Sequence, residues 1–387
     1  MNKRIVIGIF LFILIAGIGI VFLLEKPDVQ ESRTEFAYSD GGDENSFLRA
    51  QPNPLLRFPE DHGSHNDYQT EWWYFTGNIS AKNGQQFGYQ LTFFRRAMQS
   101  SENRSVRSSK WASEQIYLAH FTVTNVSQND YQYFERYSRG AAGLAGAANN
   151  PFVEIWLEDW QVTQIDNDNF LLKAQQGEVG LDLHLQDGKN IVLQGENGYS
   201  QKGEQEGNAS IYYSIPHLIT EGKLVWNGLE YSVEGLSWMD HEYSTSALSS
   251  QQVGWDWFAI HLSDGSELMV YNIRNLDGSL DAYSKGLLIL PDGSSRLLRK
   301  DDFTITTLRT WKSTHSKAEY PARWRINVPS WDLEIIVEPL VEDQELNVSF
   351  TYWEGAVSVQ GNVRGEPVEG KGYAELTGYA QSMQGRF

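Results

Sequence analysis

The sequence predicts an all-β protein with two β domains, and three observations support this fold class. Aromatic residues make up 13% of the 387 residues and glycine occurs 34 times, a composition that favours pleated strands and tight turns. Short β-rich runs alternate with turn signals such as Asn83-Gly84 and Asp264-Gly265. The chain is also longer than a domain with a single hydrophobic core usually is. We therefore expect antiparallel strands in two barrels or sandwiches that divide near residue 220, with a loop at 140–149.

The N-terminus predicts a membrane anchor. Residues 5–24 carry no charge and are long enough, as a helix, to span a bilayer. Lys3 and Arg4 keep the short N-terminal side in the cytoplasm by the positive-inside rule. No A-x-A-like cleavage site follows, which favours an uncleaved anchor over a cleaved signal peptide. We expect four segments: a transmembrane anchor at 1–26, a flexible acidic tether at 27–50, and two extracytoplasmic β domains at 51–220 and 221–387. In a Gram-negative cell these domains would lie on the periplasmic side of the inner membrane.

Charge and composition exclude several functional classes. The formal charge is −19 at pH 7, so the protein repels phosphate backbones and nucleic acid is not an expected partner. The chain has no cysteine, which excludes disulfides, thiolate metal ligands and a cysteine nucleophile. Residues 235–239 are the nearest match to G-x-S-x-G but lack the second glycine, so a serine hydrolase is not indicated. Without a phosphate-binding loop or an H-E-x-x-H motif, we expect no nucleotide cofactor and no metal.

Three adjacent titratable residues, Asp240, His241 and Glu242, form the strongest candidate site. Neighbours in a strand point to opposite faces, so either the two carboxylates or the imidazole can face a pocket. Hydration of a carbon–carbon double bond needs an acid, a base for water and aromatic surfaces that shelter a cation. These residues can supply the acid and the base. The alternative is a structural His241 that is hydrogen-bonded to a neighbouring carboxylate, and the sequence leaves both interpretations open.

Aromatic and charged residues elsewhere suggest the wall of a ligand pocket and buried ion pairs. The candidate ligand-binding residues are Trp73, Tyr243, Trp255 and Trp257, although packing in a core explains them about as well. Glu71 and Glu375 lie in aromatic or glycine-rich strands, where a buried carboxylate requires a partner. The candidate partners are Arg95 and Arg274. We favour inter-strand ion pairs over catalysis for these four residues, and a structural role for His120.

Five sequence blocks together resemble the signature blocks of the family of AttH proteins and carotenoid 1,2-hydratases. They lie at residues 71–78, 89–95, 237–243, 254–258 and 372–379. The resemblance implies two lipocalin-like antiparallel β-barrels packed together, with a pocket near their junction. It also implies acid–base positions at His241 and Tyr271. Tyr243 and Ile273 stand where the hydratases have a tryptophan and an aspartate.

These observations lead us to expect a membrane-tethered protein that binds a hydrophobic small molecule or lipid in an aromatic-lined pocket. Hydratase-type or isomerase-type acid–base chemistry, as in a carotenoid 1,2-hydratase-like lyase, would then involve Asp240, His241 and Tyr271. The alternative is a non-catalytic, lipocalin-like carrier or envelope factor. The resemblance suggests an ABC transporter as its partner, by analogy with AttH-type proteins.

Overall fold

The strands of the protein form two antiparallel sheets in a computed structural model, which describes residues 46–100, 109, 113–245 and 248–384. One sheet has 13 strands and the other has 10. Both sheets curl around a hydrophobic core of their own. The predicted all-β class with two barrel-like sheets is confirmed.

The first sheet contains β1 (Thr70–Ala81), β2 (Gln86–Ala97), β3 (Gln115–Asn125), β4 (Asp130–Arg139), β5 (Ala145–Asn149), β6 (Val153–Leu157), β7 (Trp160–Gln164), β8 (Asn169–Gln176), β9 (Val179–Asp187), β10 (Val192–Leu193), β11 (Tyr199–Gln201), β12 (Ala209–Trp226) and β13 (Leu229–Ser244). Its strands follow the order β4-β3-β2-β1-β13-β12-β9-β8-β7-β6-β5, with β10 and β11 paired to β12. Strand β5 lies where we expected a loop. Its small side chains let it pair with β6, with Gly146 directly against the ring of Trp156.

The second sheet contains β14 (Gln252–Leu262), β15 (Glu267–Asn275), β16 (Lys285–Ile289), β17 (Ser295–Arg299), β18 (Thr304–Lys312), β19 (Glu319–Val328), β20 (Leu333–Pro339), β21 (Glu345–Asn347), β22 (Thr351–Val363) and β23 (Glu366–Leu376). Its strands follow the order β17-β16-β15-β14-β23-β22-β20-β19-β18, with β21 paired to β22.

The chain passes from the first sheet to the second between Ser244 and Gln252. Residue 220, the predicted division between the two domains, lies inside β12. Strand β13 pairs with β1 on one side and with β12 on the other, so it belongs to the first sheet. The division between the sheets therefore comes later than predicted. Both sheets lie in one compact unit, and their independence as domains stays a prediction.

A third hydrophobic cluster lies between the two sheets. Side chains alternate along β1, so Trp73 and Phe75 enter the core of the first sheet whereas Tyr74 faces the second sheet. Along β14, Phe258 enters the core of the second sheet whereas Trp257 faces the first. The space between the sheets is therefore lined by large aromatic side chains from both.

No helix in the described part of the chain is long and apolar enough to cross a membrane. The predicted anchor at 1–26 and the first part of the tether, residues 27–45, lie outside the described residues. Membrane attachment and the extracytoplasmic location of the sheets stay predictions.

Candidate functional site

A cavity of about 130 Å³ lies between the two sheets. Its aromatic wall is formed by Trp72, Tyr74, Phe94, Tyr212, Trp255, Trp257, Tyr271 and Tyr352. Its charged and amide lining residues are Gln90, Lys202, Asp240, Glu242 and Glu375. A concave, mostly aromatic surface with a few polar groups is typical of sites for hydrophobic small molecules.

Strand β13 sends alternate side chains to opposite faces, as its sequence predicts. Asp240 and Glu242 line the cavity, whereas His241 is fully buried on the other face. His241 lies opposite Trp73 in the pairing of β13 with β1, and its ring stacks on the Trp73 ring with centroids 4.9 Å apart. The carboxylate pair therefore faces the cavity, and the imidazole does not.

Asp240 is held by three hydrogen-bond donors. The Tyr212 hydroxyl donates to Oδ2 at 2.5 Å, and the Trp238 indole N–H donates to Oδ1 at 2.7 Å. The Ser214 hydroxyl also donates to Oδ1. Burial is the largest influence on this carboxyl and raises its pKa to about 7, against the three hydrogen bonds and with a smaller contribution from Glu242. Asp240 can therefore exchange a proton near neutral pH.

Glu242 forms an ion pair with Lys202, whose Nζ lies 3.0 Å from Oε1. The same ammonium lies 4.5 Å from the centre of the Tyr271 ring. Burial opposes the charge of Lys202, but Glu242 and Tyr271 hold the pKa of the ammonium above its ordinary value. The Tyr271 hydroxyl lies 3.1 Å from the Ser200 hydroxyl. Burial raises the pKa of Tyr271. Tyr271 thus lines the cavity as a neutral phenol beside a charged lysine.

Glu375 has a different role from the one predicted. It accepts a hydrogen bond from the Trp255 indole N–H at 2.8 Å, and it lines the cavity instead of pairing with an arginine. Burial raises the pKa of Glu375 to about 7, and the negative charges of Asp240 and Glu242 add to the effect. The prediction of an ion pair is wrong here because β23 pairs with β14, which places Trp257 beside Glu375 and brings the Trp255 indole within reach.

Glu354 is a buried carboxyl beside the cavity that is not among the residues predicted from the sequence. It lies opposite Glu375 in the pairing of β22 with β23, is fully buried and accepts a hydrogen bond from the Tyr74 hydroxyl. Burial, reinforced by Glu375, raises the pKa of Glu354 well above its ordinary value. The available signal for a buried carboxyl is a glutamate that directly follows Tyr352 and Trp353 in a strand. Its neighbour on the adjacent strand cannot be predicted from local sequence.

A second polar cluster surrounds His241 on the far face of β13. The Nε2 atom of His241 lies 2.9 Å from Glu71 Oε1, and its Nδ1 atom lies 2.9 Å from the Tyr213 hydroxyl. Arg95 Nε donates to Glu71 Oε2 at 2.8 Å, so the predicted partnership of Glu71 with Arg95 is present. Burial lowers the pKa of His241. Burial acts to raise the pKa of Glu71, but Arg95 and the hydrogen-bonded histidines hold it well below its ordinary range.

The cluster also contains His65, which lies between two carboxylates. Its Nδ1 is 2.8 Å from Glu71 Oε1 and its Nε2 is 2.9 Å from Asp61 Oδ1. Burial opposes its charge, but these two hydrogen bonds and the charges of Asp61 and Glu71 raise the pKa of His65 to about 9. The potential metal-ligand atoms of His65, Glu71 and His241 lie within 4.8 Å of one another, a spacing that could hold a metal ion. In the structure both imidazoles hydrogen-bond to Glu71 Oε1.

The predicted ligand-binding residues separate into two groups. Trp255 and Trp257 line the cavity, together with Tyr271, which the family resemblance implies as an acid–base position. Trp73 and Tyr243 do not, because each lies on the strand face opposite the cavity. Trp73 stacks on His241, and the Tyr243 ring stacks on His65 with centroids 3.6 Å apart.

Two further predicted residues have structural partners. Arg274 pairs with Asp256, with 3.0 Å between Nε and Oδ1, and its guanidinium lies 3.8 Å from the centre of the Tyr379 ring. His120 is buried, as expected for a structural residue. Its Nδ1 lies 2.7 Å from the hydroxyl of Tyr352, a cavity residue, and its Nε2 lies 3.1 Å from Glu135.

Comparisons with known proteins agree with this architecture. The family model described as AttH-like matches residues 49–379. A crystal structure described as an AttH protein of Nitrosomonas europaea is 33% identical, with a TM-score of 0.76 over 86% of this chain and 100% of that chain.

Two curated relatives have names that specify a reaction. Kievitone hydratase of Fusarium solani subsp. phaseoli is 23% identical over 247 residues, which cover 59% of this chain and 66% of that protein. Dehydratase asqC of Emericella nidulans is 24% identical over 232 residues, 55% of this chain and 63% of that protein. The chain thus spans just under two thirds of the length of each relative. The family match over both sheets and the similarity to the Nitrosomonas protein establish that this chain belongs to the AttH-like family.

Proposed function

We propose that the protein binds an unsaturated hydrophobic molecule in the cavity between the sheets and adds water to it, or removes water in the reverse direction. The observation that carries this proposal is the pair of buried carboxyls, Asp240 and Glu375, whose pKa values of about 7 occur inside an aromatic wall. The names of the hydratase and dehydratase relatives support the same class of reaction.

The chemistry requires one proton donor and one proton acceptor. In hydration, the protonated carboxyl transfers its proton to one alkene carbon. Water bonds to the other carbon and gives a proton to the ionised carboxyl, so that the net change is the addition of one water. An acid or base is most effective when its pKa lies near the working pH. Because the two carboxyls interact, they titrate as a coupled pair, and either can be the donor. Aromatic rings such as Trp257 and Tyr271 stabilise cationic character on the substrate.

An isotope experiment tests this proposal. The full chain is incubated in ¹⁸O-water with a neutral lipid extract of its own cells, and products are analysed by mass spectrometry. We expect a hydrophobic product that carries one heavy oxygen, and we expect Asp240→Asn to abolish it. His241→Gln, altered on the opposite face of the same strand, should retain the product as long as circular dichroism confirms its fold.

The second candidate function is a non-catalytic carrier, which the apolar wall of the cavity also favours. In that case a molecule co-purifies with the protein, but no heavy oxygen enters it, and Asp240→Asn behaves like wild type. Attachment to the membrane through residues 1–26, an extracytoplasmic location and partnership with an ABC transporter stay proposals that accompany either function.

A further inference from the structure

Two buried polar atoms beside the cavity lack hydrogen-bond partners among the described residues. Gln90 is fully buried on β2 and lines the cavity, and its Nε2 donates to the Thr92 hydroxyl at 2.6 Å while its Oε1 is unpaired. Glu354 Oε2 is also unpaired, whereas Oε1 accepts from the Tyr74 hydroxyl. Buried polar atoms in folded proteins almost always have partners, so these positions are suited to a hydrogen-bonding group from a bound molecule.

A hydroxyl fits the Gln90 position in either orientation of the amide. Rotation of the amide by half a turn exchanges its oxygen and nitrogen and leaves an unpaired donor in place of the acceptor. A hydroxyl can pair with either atom because it both donates and accepts. Gln90 also lies near the Tyr74–Glu354 pair, since Gln90 is opposite Thr76, two residues along β1 from Tyr74. The polar part of a ligand therefore has a defined place on this wall.

The charges of the cavity disfavour an anionic ligand. Asp240, Glu242 and Glu375 line it, and Glu354 lies beside Glu375. Among the lining residues that the structure describes, Lys202 is the only cation, and it is already paired with Glu242 at 3.0 Å. A buried charge without a partner is strongly unfavourable. A ligand carboxylate would enter a site that already holds several carboxyls and has no unpaired cation to offer.

We infer that the cavity selects uncharged hydrophobic alcohols over carboxylic acids of the same skeleton, with the ligand hydroxyl hydrogen-bonded to Gln90. This rests on the proposed function, because it specifies the class of molecule that occupies the same cavity. An alcohol is also what hydration produces and what dehydration consumes. The bound hydroxyl at Gln90 is accordingly a second polar group of the substrate or the hydroxyl that the reaction adds or removes.

Three probes with one branched, unsaturated skeleton test the inference: geraniol, geranic acid and myrcene. The full chain is titrated with each at about pH 8, where geranic acid is ionised, and binding is followed by tryptophan fluorescence, since Trp255 and Trp257 line the cavity. We expect geraniol to bind at least about tenfold more tightly than geranic acid or myrcene.

Variants of Gln90 locate the hydroxyl. Gln90→Leu should reduce the affinity for geraniol to that for myrcene, and Gln90→Met, which keeps the length of the side chain, should do the same if the leucine variant folds poorly. Gln360→Leu changes an exposed glutamine on β22 and should leave the preference for geraniol intact.

Each other outcome overturns a specific part of the inference. Equal binding of geranic acid and geraniol would overturn the selection against anions, and equal binding of myrcene and geraniol would mean that water satisfies Gln90. A Gln90 variant that keeps the preference for geraniol would remove the hydroxyl from this residue. In all three cases the cavity still binds a hydrophobic molecule, as proposed. If none of the three probes binds, both this inference and the proposed hydrophobic site are contradicted.

Discussion

Burial removes the Asp240 carboxyl from water and raises its pKa in the folded protein to about 7, from an ordinary value of 3.8. Between these two values the native protein keeps a proton that the unfolded chain has lost. Stability attributable to this group is therefore highest at low pH and falls as the pH rises through the interval. The maximum slope for one such group is about 1.4 kcal/mol per pH unit.

Asp240→Asn removes this titration and keeps the shape of the side chain. We expect the free energy of unfolding of the variant, relative to wild type, to increase between about pH 5 and about pH 8, by roughly 1–3 kcal/mol. Urea denaturation at both pH values measures the difference. Asp182→Asn, on the exposed side of β9, is the matched control and should give the same difference at both pH values. A pH-independent difference for Asp240→Asn would mean that this carboxyl is already ionised at pH 5.

For Asp240, His241 and Glu242, the sequence predicts which side chains share a face of β13, but it does not predict which face borders the cavity. Alternation alone separates Asp240 and Glu242 from His241, and the structure confirms this separation. Which face borders the cavity depends on how the second sheet packs against β13, and no local pattern contains that information. The adjacent imidazole was therefore a reasonable catalytic candidate, although it belongs to the cluster around Glu71.

At the level of strands, β2 and β22 lie so close together that one added methyl group would produce a steric clash. A Cβ atom added to Gly88 on β2 would lie 2.5 Å from the Cβ of Ala356 on β22, well inside van der Waals contact. The next nearest atoms, on Thr124 and Tyr373, would lie at 3.5 Å, which is ordinary contact. Gly88 thus permits the two sheets to pack face to face, and its role is defined by a single opposing atom.

This contact predicts a rescue between two strands that are far apart in sequence. Gly88→Ala should lower the free energy of unfolding by about 1–3 kcal/mol, since the added methyl group overpacks the contact. Ala356→Gly alone should cost about 1 kcal/mol. In the double variant the methyl group of residue 88 occupies the space left by that of residue 356, so most of the Gly88→Ala loss should be recovered. A double-mutant cycle by chemical denaturation measures the coupling. Additive losses would mean that the strands are not in contact.

Strand boundaries were predictable where turn chemistry is local, and less so where pairing is distant. Asn83-Gly84 and Asp264-Gly265 lie between consecutive strands, as their sequences indicate. Strand β5 was missed because small residues carry little strand signal and its stability comes from pairing with β6. The partner of Glu375 was misassigned because it depends on the pairing of β14 with β23, which are separated by more than a hundred residues.

Across the whole molecule, ionic contacts join the two sheets in addition to the aromatic cluster. Glu267, on β15 of the second sheet, is almost completely buried. It accepts from Lys189 Nζ at 2.6 Å and lies 2.8 Å from Nδ1 of His217, and these two residues come from the first part of the chain. The Asn78 amide of β1 also donates to the backbone oxygen of Gly372 on β23. These contacts favour unfolding of the two sheets as one unit, whereas the sequence led us to expect two domains.

Glu267→Gln distinguishes these two descriptions of the molecule. The substitution leaves the ammonium of Lys189 without its buried carboxylate, so we expect a loss of about 3 kcal/mol in the free energy of unfolding. If the sheets unfold together, hydrogen exchange should accelerate to the same extent in the core strands of both, because both exchange through one global opening. Glu334→Gln, in an exposed pair with Arg325, should change exchange little. Loss of protection confined to the second sheet would instead establish independent domains, and the cavity between them could then open by separation of the sheets without unfolding of either.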